Sequence, residues 1–172
     1  MDLSVMAADF ARELGPAQRI VERKQTIPIL AYVKVVGNGD DSLAVTATDI
    51  EVGFHTLCRA VVARPGETLL PAKCIFDLAR SLPEMALIRV VADHARVSIS
   101  APSYSAKLQI PDVADYPMVA VGRETPIAID RNALVAILAR VLPATDAESA
   151  NRDYTISGVL VEIKEGRWTV VA

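Results

Sequence analysis

The groups in this 172-residue chain that could carry chemistry are two histidines, two cysteines, one close pair of carboxylates and several rows of basic residues. His55 and His94 are far apart, and neither sits in a Ser/His/Asp, HExxH or CxxC frame. Asp49-Ile50-Glu51 puts two carboxylates on one face of an extended strand. That is the spacing of a paired acid, and also of an ordinary solvated edge. Cys58 and Cys74 stand alone in apolar surroundings, without CxxC or CxxH spacing, and read as buried, reduced thiols. No P-loop and no GxGxxG is present. These residue types assemble no recognisable catalytic centre, so the expectation is a non-catalytic protein with no metal and no cofactor.

The basic residues are more informative. Arg12, Arg19 and Arg23 fall at i, i+7 and i+11, one face of a helix. Lys73 and Arg80 share a second helical segment with Asp77 and Glu84. By spacing alone such rows describe a solvated helix face. The whole chain carries a formal charge of -3, and both halves are slightly acidic, which argues against a tight nucleic-acid binder. Any DNA contact must come from a local basic stripe and be weak. Aromatic residues make up 5% of the chain, too few for a platform that stacks single-stranded bases.

The elements that would position these groups follow from composition and period. At 52% hydrophobic and 23% charged, the chain can bury a real core. No apolar run approaches the ~20 residues of a membrane helix. Met1 to Phe10 holds two Asp and no Lys or Arg, which does not fit a signal peptide. Leu3-Ser-Val-Met6 reads as a strand, and Phe10, Leu14, Ala17 and Val21 as the apolar face of a helix over Ala7 to Arg23, with a kink or a division into two shorter helical pieces expected at Gly15-Pro16. Strands are expected over Ile29–Val36, Leu43–Thr48, Glu51–Val62, Thr68–Leu70, Ala86–Ala92, Ala95–Ser100 and Tyr104–Ile110. A second helix, Ala72 to Leu82, buries Ile75, Leu78, Ala79 and Leu82 and stops at Pro83. Asp112 to Gly122, with two prolines, reads as a linker.

After that linker the order restarts. Ile127-Ala-Ile129 repeats the opening strand, and Asp130 is a good N-cap for a helix carrying Leu134, Ile137, Leu138 and Val141. Ile156–Ile163 sits where Ile29–Val36 sat, and Trp168–Ala172 where Leu43–Ala47 sat. The implied organisation is one unit over residues 1–122 and the first part of a second over residues 123–172. The fold class is α+β, two helices on antiparallel sheets, in tandem with the second copy truncated.

Several runs resemble one family. They are Val21-Glu-Arg-Lys-Gln-Thr-Ile-Pro-Ile-Leu-Ala31, Leu43-Ala-Val-Thr-Ala-Thr-Asp-Ile-Glu-Val-Gly53, Leu70-Pro-Ala-Lys73 with Phe76-Asp-Leu-Ala-Arg-Ser-Leu-Pro83, Ile110-Pro111 and Asp115-Tyr-Pro117. In this order they are similar to the first domain of the bacterial DNA polymerase III beta subunit, the beta sliding clamp. Gly158-Val-Leu-Val-Glu-Ile163 and Thr169-Val-Val-Ala172 resemble the start of that family's second domain.

The resemblance implies a DNA-clamp fold and a processivity factor for DNA replication. Two subunits close into a homodimer ring around double-stranded DNA, with helices lining the hole. The implied partners are duplex DNA without sequence preference, the polymerase III alpha subunit and the clamp loader. The implied location is the cytoplasm, at the nucleoid. Lys24 stands at a DNA-contact position of the family, Lys73 and Arg80 lie on the helix that would face the hole, and Arg152 lies near a basic loop of the second domain. Arg19 and Arg23 join them on helical spacing, with Arg12 as an outlier. Tyr104, Ser105, Lys107 and Leu108 lie on the strand that would meet the neighbouring subunit, and Ser105 and Lys107 stand where relatives present apolar residues. The family's peptide groove would lie beyond this chain. The alternative reading is a truncated clamp-like protein that acts only as an interaction module.

Overall fold

In the computed structural model, residues 1–21, 27–39, 41–93, 95–117, 128–145, 158–164 and 166–172 are described. They fall into two compact units, Met1–Gly122 and Arg123–Ala172.

The first unit opens with strand β1 (Asp2–Met6), whose Leu3 and Val5 point inward. Helix α1 (Ala7–Val21) follows directly and buries Phe10, Leu14, Ala17 and Val21, the expected face. α1 is one helix, not two shorter pieces: it runs unbroken through Pro16. Pro16 lacks an N–H and leaves the carbonyl of Arg12 without its helical donor. Both residues lie on the exposed side, where water can replace the lost bond.

Pro28–Ala31 forms a turn of 3-10 helix rather than strand, and strand β2 begins only at Tyr32 (Tyr32–Gly37). Strand β3 (Ser42–Thr48) returns antiparallel to it. The single strand expected over Glu51–Val62 is in fact two, β4 (Gly53–Arg59) and β5 (Val61–Arg64), in different sheets. The buried Ala60 is the crossing point. Its N–H donates to the Asp41 carbonyl at 3.0 Å, and the N–H of Val62 to Asp41 Oδ1 at 3.2 Å. Only Pro65 separates β5, which ends at Arg64, from β6 (Gly66–Pro71). Gly66 has φ +151°, and a Cβ there would lie 3.2 Å from the Met1 side chain, so glycine is required at this join.

Helix α2 (Ala72–Ser81) buries Ile75, Leu78 and Ala79 as predicted. Strands β7 (Leu87–Asp93), β8 (Arg96–Ala101) and β9 (Tyr104–Gln109) complete an antiparallel meander.

The sheet orders are β5-β1-β7-β8-β9 and β4-β3-β2-β6. The strand before each helix joins the meander that follows the other helix. β1 pairs with β7, and β6 pairs with β2. This exchange locks two similar strand–helix–meander halves together, with α1 packed on α2 and on the sheets. Phe10, Leu14, Val33, Val45, Leu70, Ile75, Ile88 and Ile99 form one fully buried core between them. The α+β class with helices on antiparallel sheets is therefore as the sequence predicts.

The segment expected as a linker is docked at its start. Val113–Asp115 is a 3-10 turn capped by Asp112, and Tyr116 is buried. Its hydroxyl donates to the Tyr32 carbonyl at 3.1 Å and lies 3.4 Å from that of Thr46, and burial pushes the phenol up to about 12.

In the second unit, Asp130 caps helix α3 (Arg131–Val141) as expected, its Oδ1 accepting from the Ala133 N–H at 2.7 Å. The opening strand expected at Ile127–Ile129 is not formed by Ala128–Asp130, and Ile127 lies outside the described residues. Strands β10 (Leu160–Lys164) and β11 (Arg167–Val171) make a hairpin: β10 begins at Leu160, past Gly158 and Val159 of the expected Ile156–Ile163, whose residues 156–157 lie outside the described residues, and β11 is the expected Trp168–Ala172 moved back by one residue. Leu134, Ile137 and Leu138 of α3 are half-buried, and no α3 residue is fully buried.

Candidate nucleic-acid interface

The basic residues of α1 and α2 do not behave alike. Arg12 is exposed, but its guanidinium is committed within its own helix. Nη2 lies 3.2 Å from Asp9 Oδ1, and Nε donates to Glu13 Oε1 at 3.0 Å. Glu13 in turn accepts from the Thr56 hydroxyl of β4 at 2.7 Å. The Thr56 bond, with help from Arg12, holds the Glu13 carboxyl below its ordinary value despite partial burial. The Asp9-x-x-Arg12-Glu13 spacing carries the signal for this pairing, since i, i+3 neighbours meet on a helix. Arg12 is thereby neutralised, and Glu13, through Thr56, anchors α1 to β4.

That anchor gives a first expected result. Because Glu13 titrates lower in the folded than in the unfolded chain, its bonds contribute fully above the ordinary carboxylate range and fade as pH falls through the folded value. Thr56→Val should cost about 1.5 kcal/mol near neutral pH. The deficit should shrink as pH falls below the ordinary carboxylate range. Urea melts at two pH values check both parts, and an equal deficit at both would contradict the assignment.

Arg19 in the last turn of α1, and Lys73 and Arg80 at the two ends of α2, are exposed. Among the described residues none of the three has an ion-pair partner. Lys73 and Arg80, seven residues apart, share one side of α2. Arg80 also lies with its guanidinium carbon 5.4 Å from the centroid of the Phe76 ring. Phe76 carries an i, i+4 signal toward Arg80 that charge patterning alone passes over. The two helices present four basic against three acidic side chains, a slight local excess in an acidic protein. Arg23, Lys24 and Arg152 lie outside the described residues.

At the far end of the five-stranded sheet, β9 is the edge strand. Its four expected contact residues divide by pleat. Ser105 and Lys107 are exposed, whereas Tyr104 and Leu108 are half-buried and pack against the core. Burial, and then the neighbouring Cys74, push the Tyr104 phenol above its ordinary value. Cys74 itself is exposed at the start of α2, correcting the expectation of two buried thiols. Cys58 is buried and its thiol is pushed up to about 11, leaving it inert at neutral pH.

The remaining chemical candidates are structural. Asp49 and Glu51 do not lie on a strand. Asp49 Oδ1 accepts from the N–H groups of Glu51 at 3.1 Å and Val52 at 2.6 Å, which shapes the loop between β3 and β4. His55 Nδ1 is 3.1 Å from Thr46 Oγ1 on the exposed face of β4, and His94 lies outside the described residues. Among the described residues no cluster of His, Cys, Asp or Glu could hold a metal, and no helix is long and apolar enough to cross a membrane.

A helix pair on antiparallel sheets, edged by β9 and built from two similar halves, matches a known pattern. The sequence model for the N-terminal domain of the DNA polymerase III beta subunit covers residues 1–120. The chain belongs to that family. It is 31% identical over 175 residues to the beta sliding clamp of Pseudomonas putida, covering 100% of this chain and 47% of the relative. It is 29% identical over 170 residues to that of Caulobacter vibrioides, covering 96% and 45%. Among solved structures, Caulobacter crescentus pol III beta superposes with a TM-score of 0.87 at 28% identity, covering 99% of this chain and 46% of that one. The DNA polymerase III subunit beta of Pseudomonas aeruginosa superposes at 0.85 with 26% identity, covering 96% and 45%. The chain spans just under half the length of the curated relatives it matches.

Proposed function

We propose that this chain is part of a sliding clamp, a non-catalytic processivity factor that encircles duplex DNA during replication. Residues 1–122 are then the first clamp domain and residues 123–172 the opening part of the second. The observation that carries the reading is the α1–α2 pair, where Arg19, Lys73 and Arg80 stand exposed without carboxylate partners among the described residues. Such a face can attract phosphates but has no means of reading bases. Few and weak contacts suit a ring that must slide, because each tight phosphate bond would add friction. In this reading Lys24, Arg23 and Arg152 are further DNA-contact residues.

Ring closure would use the β9 edge, with Ser105 and Lys107 toward a second subunit and Tyr104 and Leu108 supporting the strand from the core side. A lysine on an open strand edge discourages nonspecific pairing. The polymerase III alpha subunit and the clamp loader are the partners of the complete ring, at the nucleoid in the cytoplasm.

Binding of duplexes of unrelated sequence, titrated over a range of salt, tests this reading. Affinities should be equal across sequences. Lys73→Glu with Arg80→Glu should shallow the log–log salt slope by about two units. An unchanged slope, or a clear preference for one sequence, would overturn the assignment of this face.

A further inference from the structure

Among the basic side chains of the helix pair, Arg80 is held in place without being neutralised. Its guanidinium rests against the Phe76 ring at 5.4 Å, within the range of a cation–π contact. A carboxylate partner would hold an arginine as firmly, as Asp9 and Glu13 hold Arg12, but would cancel its charge. An aromatic face leaves the charge and the edge N–H donors available. The ring is itself fixed. It is half-buried against the core, and its Cε2 lies 3.7 Å from where a Cβ on Gly15 would stand, so α1 closes over it. Arg80 and Arg12 line opposite walls of a groove of about 440 Å³ between the helices, which Glu84 also lines, and of the two arginines only Arg80 is without an ion-pair partner among the described residues.

We propose that Phe76 is a positioning residue, which holds the Arg80 guanidinium over the groove, ready for a backbone phosphate of duplex DNA. The ring limits the rotamers of a long side chain before the phosphate arrives, so less freedom is lost on contact. Lys73 on the same helix has no such support and acts as a mobile point charge. This inference rests on the duplex-facing reading above.

The test is a double-mutant cycle on the full chain with a short duplex as probe. Phe76→Leu should weaken binding about two- to fivefold, the factor an exposed cation–π contact carries. The same change in an Arg80→Ala background should have no further effect, and Phe76→Trp should keep wild-type affinity. Independently of DNA, the Arg80 Cδ protons should be shifted upfield by the ring current, and that shift should vanish in Phe76→Leu. An equal loss in both backgrounds, no loss at all, or unshifted Arg80 protons would overturn the positioning role and leave the functional reading standing. If the wild-type chain shows no salt-dependent duplex binding, both fall together.

Discussion

Phe10→Ala should lower the stability of the first unit by about 3–5 kcal/mol, the range for emptying a fully buried aromatic site. Phe10 has 0% exposure and lies on the face of α1 that covers the sheets. A helix alone could shift to fill the space. Here α1 is tied at its start to the Glu84 and Ala86 carbonyls through the N–H groups of Ala8 and Ala7, and along its length to β4 through Glu13 and Thr56. The cavity can therefore collapse only in part, which places the cost toward the upper end of the range. The denaturation midpoint should fall with little change in slope. The probe matters: the single tryptophan, Trp168, belongs to the second unit, so its fluorescence does not report on Phe10. Far-UV circular dichroism does. Leu57→Ala, at a site 60% exposed, is the matched control and should change stability by less than ~0.5 kcal/mol. A loss below ~1.5 kcal/mol at Phe10 would mean that α1 relaxes into the space.

Phe10 was legible from the chain because its neighbours Leu14, Ala17 and Val21 repeat at helical spacing, and burial of one face leaves that period in the sequence. Asp130 was legible for a similarly local reason, since a cap is written in the residue and the turn that follows it. The points that were not legible depend on distant partners. No local signal marks Ala60 as the place where one apparent strand becomes two, because the division is set by hydrogen bonds that Asp41, some twenty residues earlier, accepts from the N–H groups of Ala60 and Val62. Tyr116 sits in a proline-bearing stretch that reads as linker, and only the Tyr32 and Thr46 carbonyls in β2 and β3 hold it down. At the candidate interface, spacing put Arg12 and Arg19 on one face, with Arg12 the outlier. Structure separates them, because Asp9 and Glu13 take up the Arg12 charge and leave that of Arg19 exposed.

Amides of β10 and β11 should exchange with solvent hydrogen about a hundredfold or more faster than those of Val33 and Val35, after correction for intrinsic rates. The contrast follows from the number of partners. β2 is flanked by β3 on one side and β6 on the other, and Val33 and Val35 are fully buried beneath α1 and its neighbours. Its amides can open only when much of the unit opens. The β10–β11 hairpin is a two-stranded ribbon, an element marginal in water by itself. Leu160, Val161, Ile163 and Val171 are exposed, and contact with α3 reaches β11 through half-buried Trp168 and Val170. A hundredfold ratio corresponds to only about 2.7 kcal/mol, well within the gap between a local opening and the global stability of a domain. Measurement at two protein concentrations separates the sources of any protection. Equal exchange in both hairpins at low concentration would show the second unit to be as firmly held as the first. Protection of β10 and β11 that grows with concentration would instead mean that their apolar side chains are covered by a second molecule.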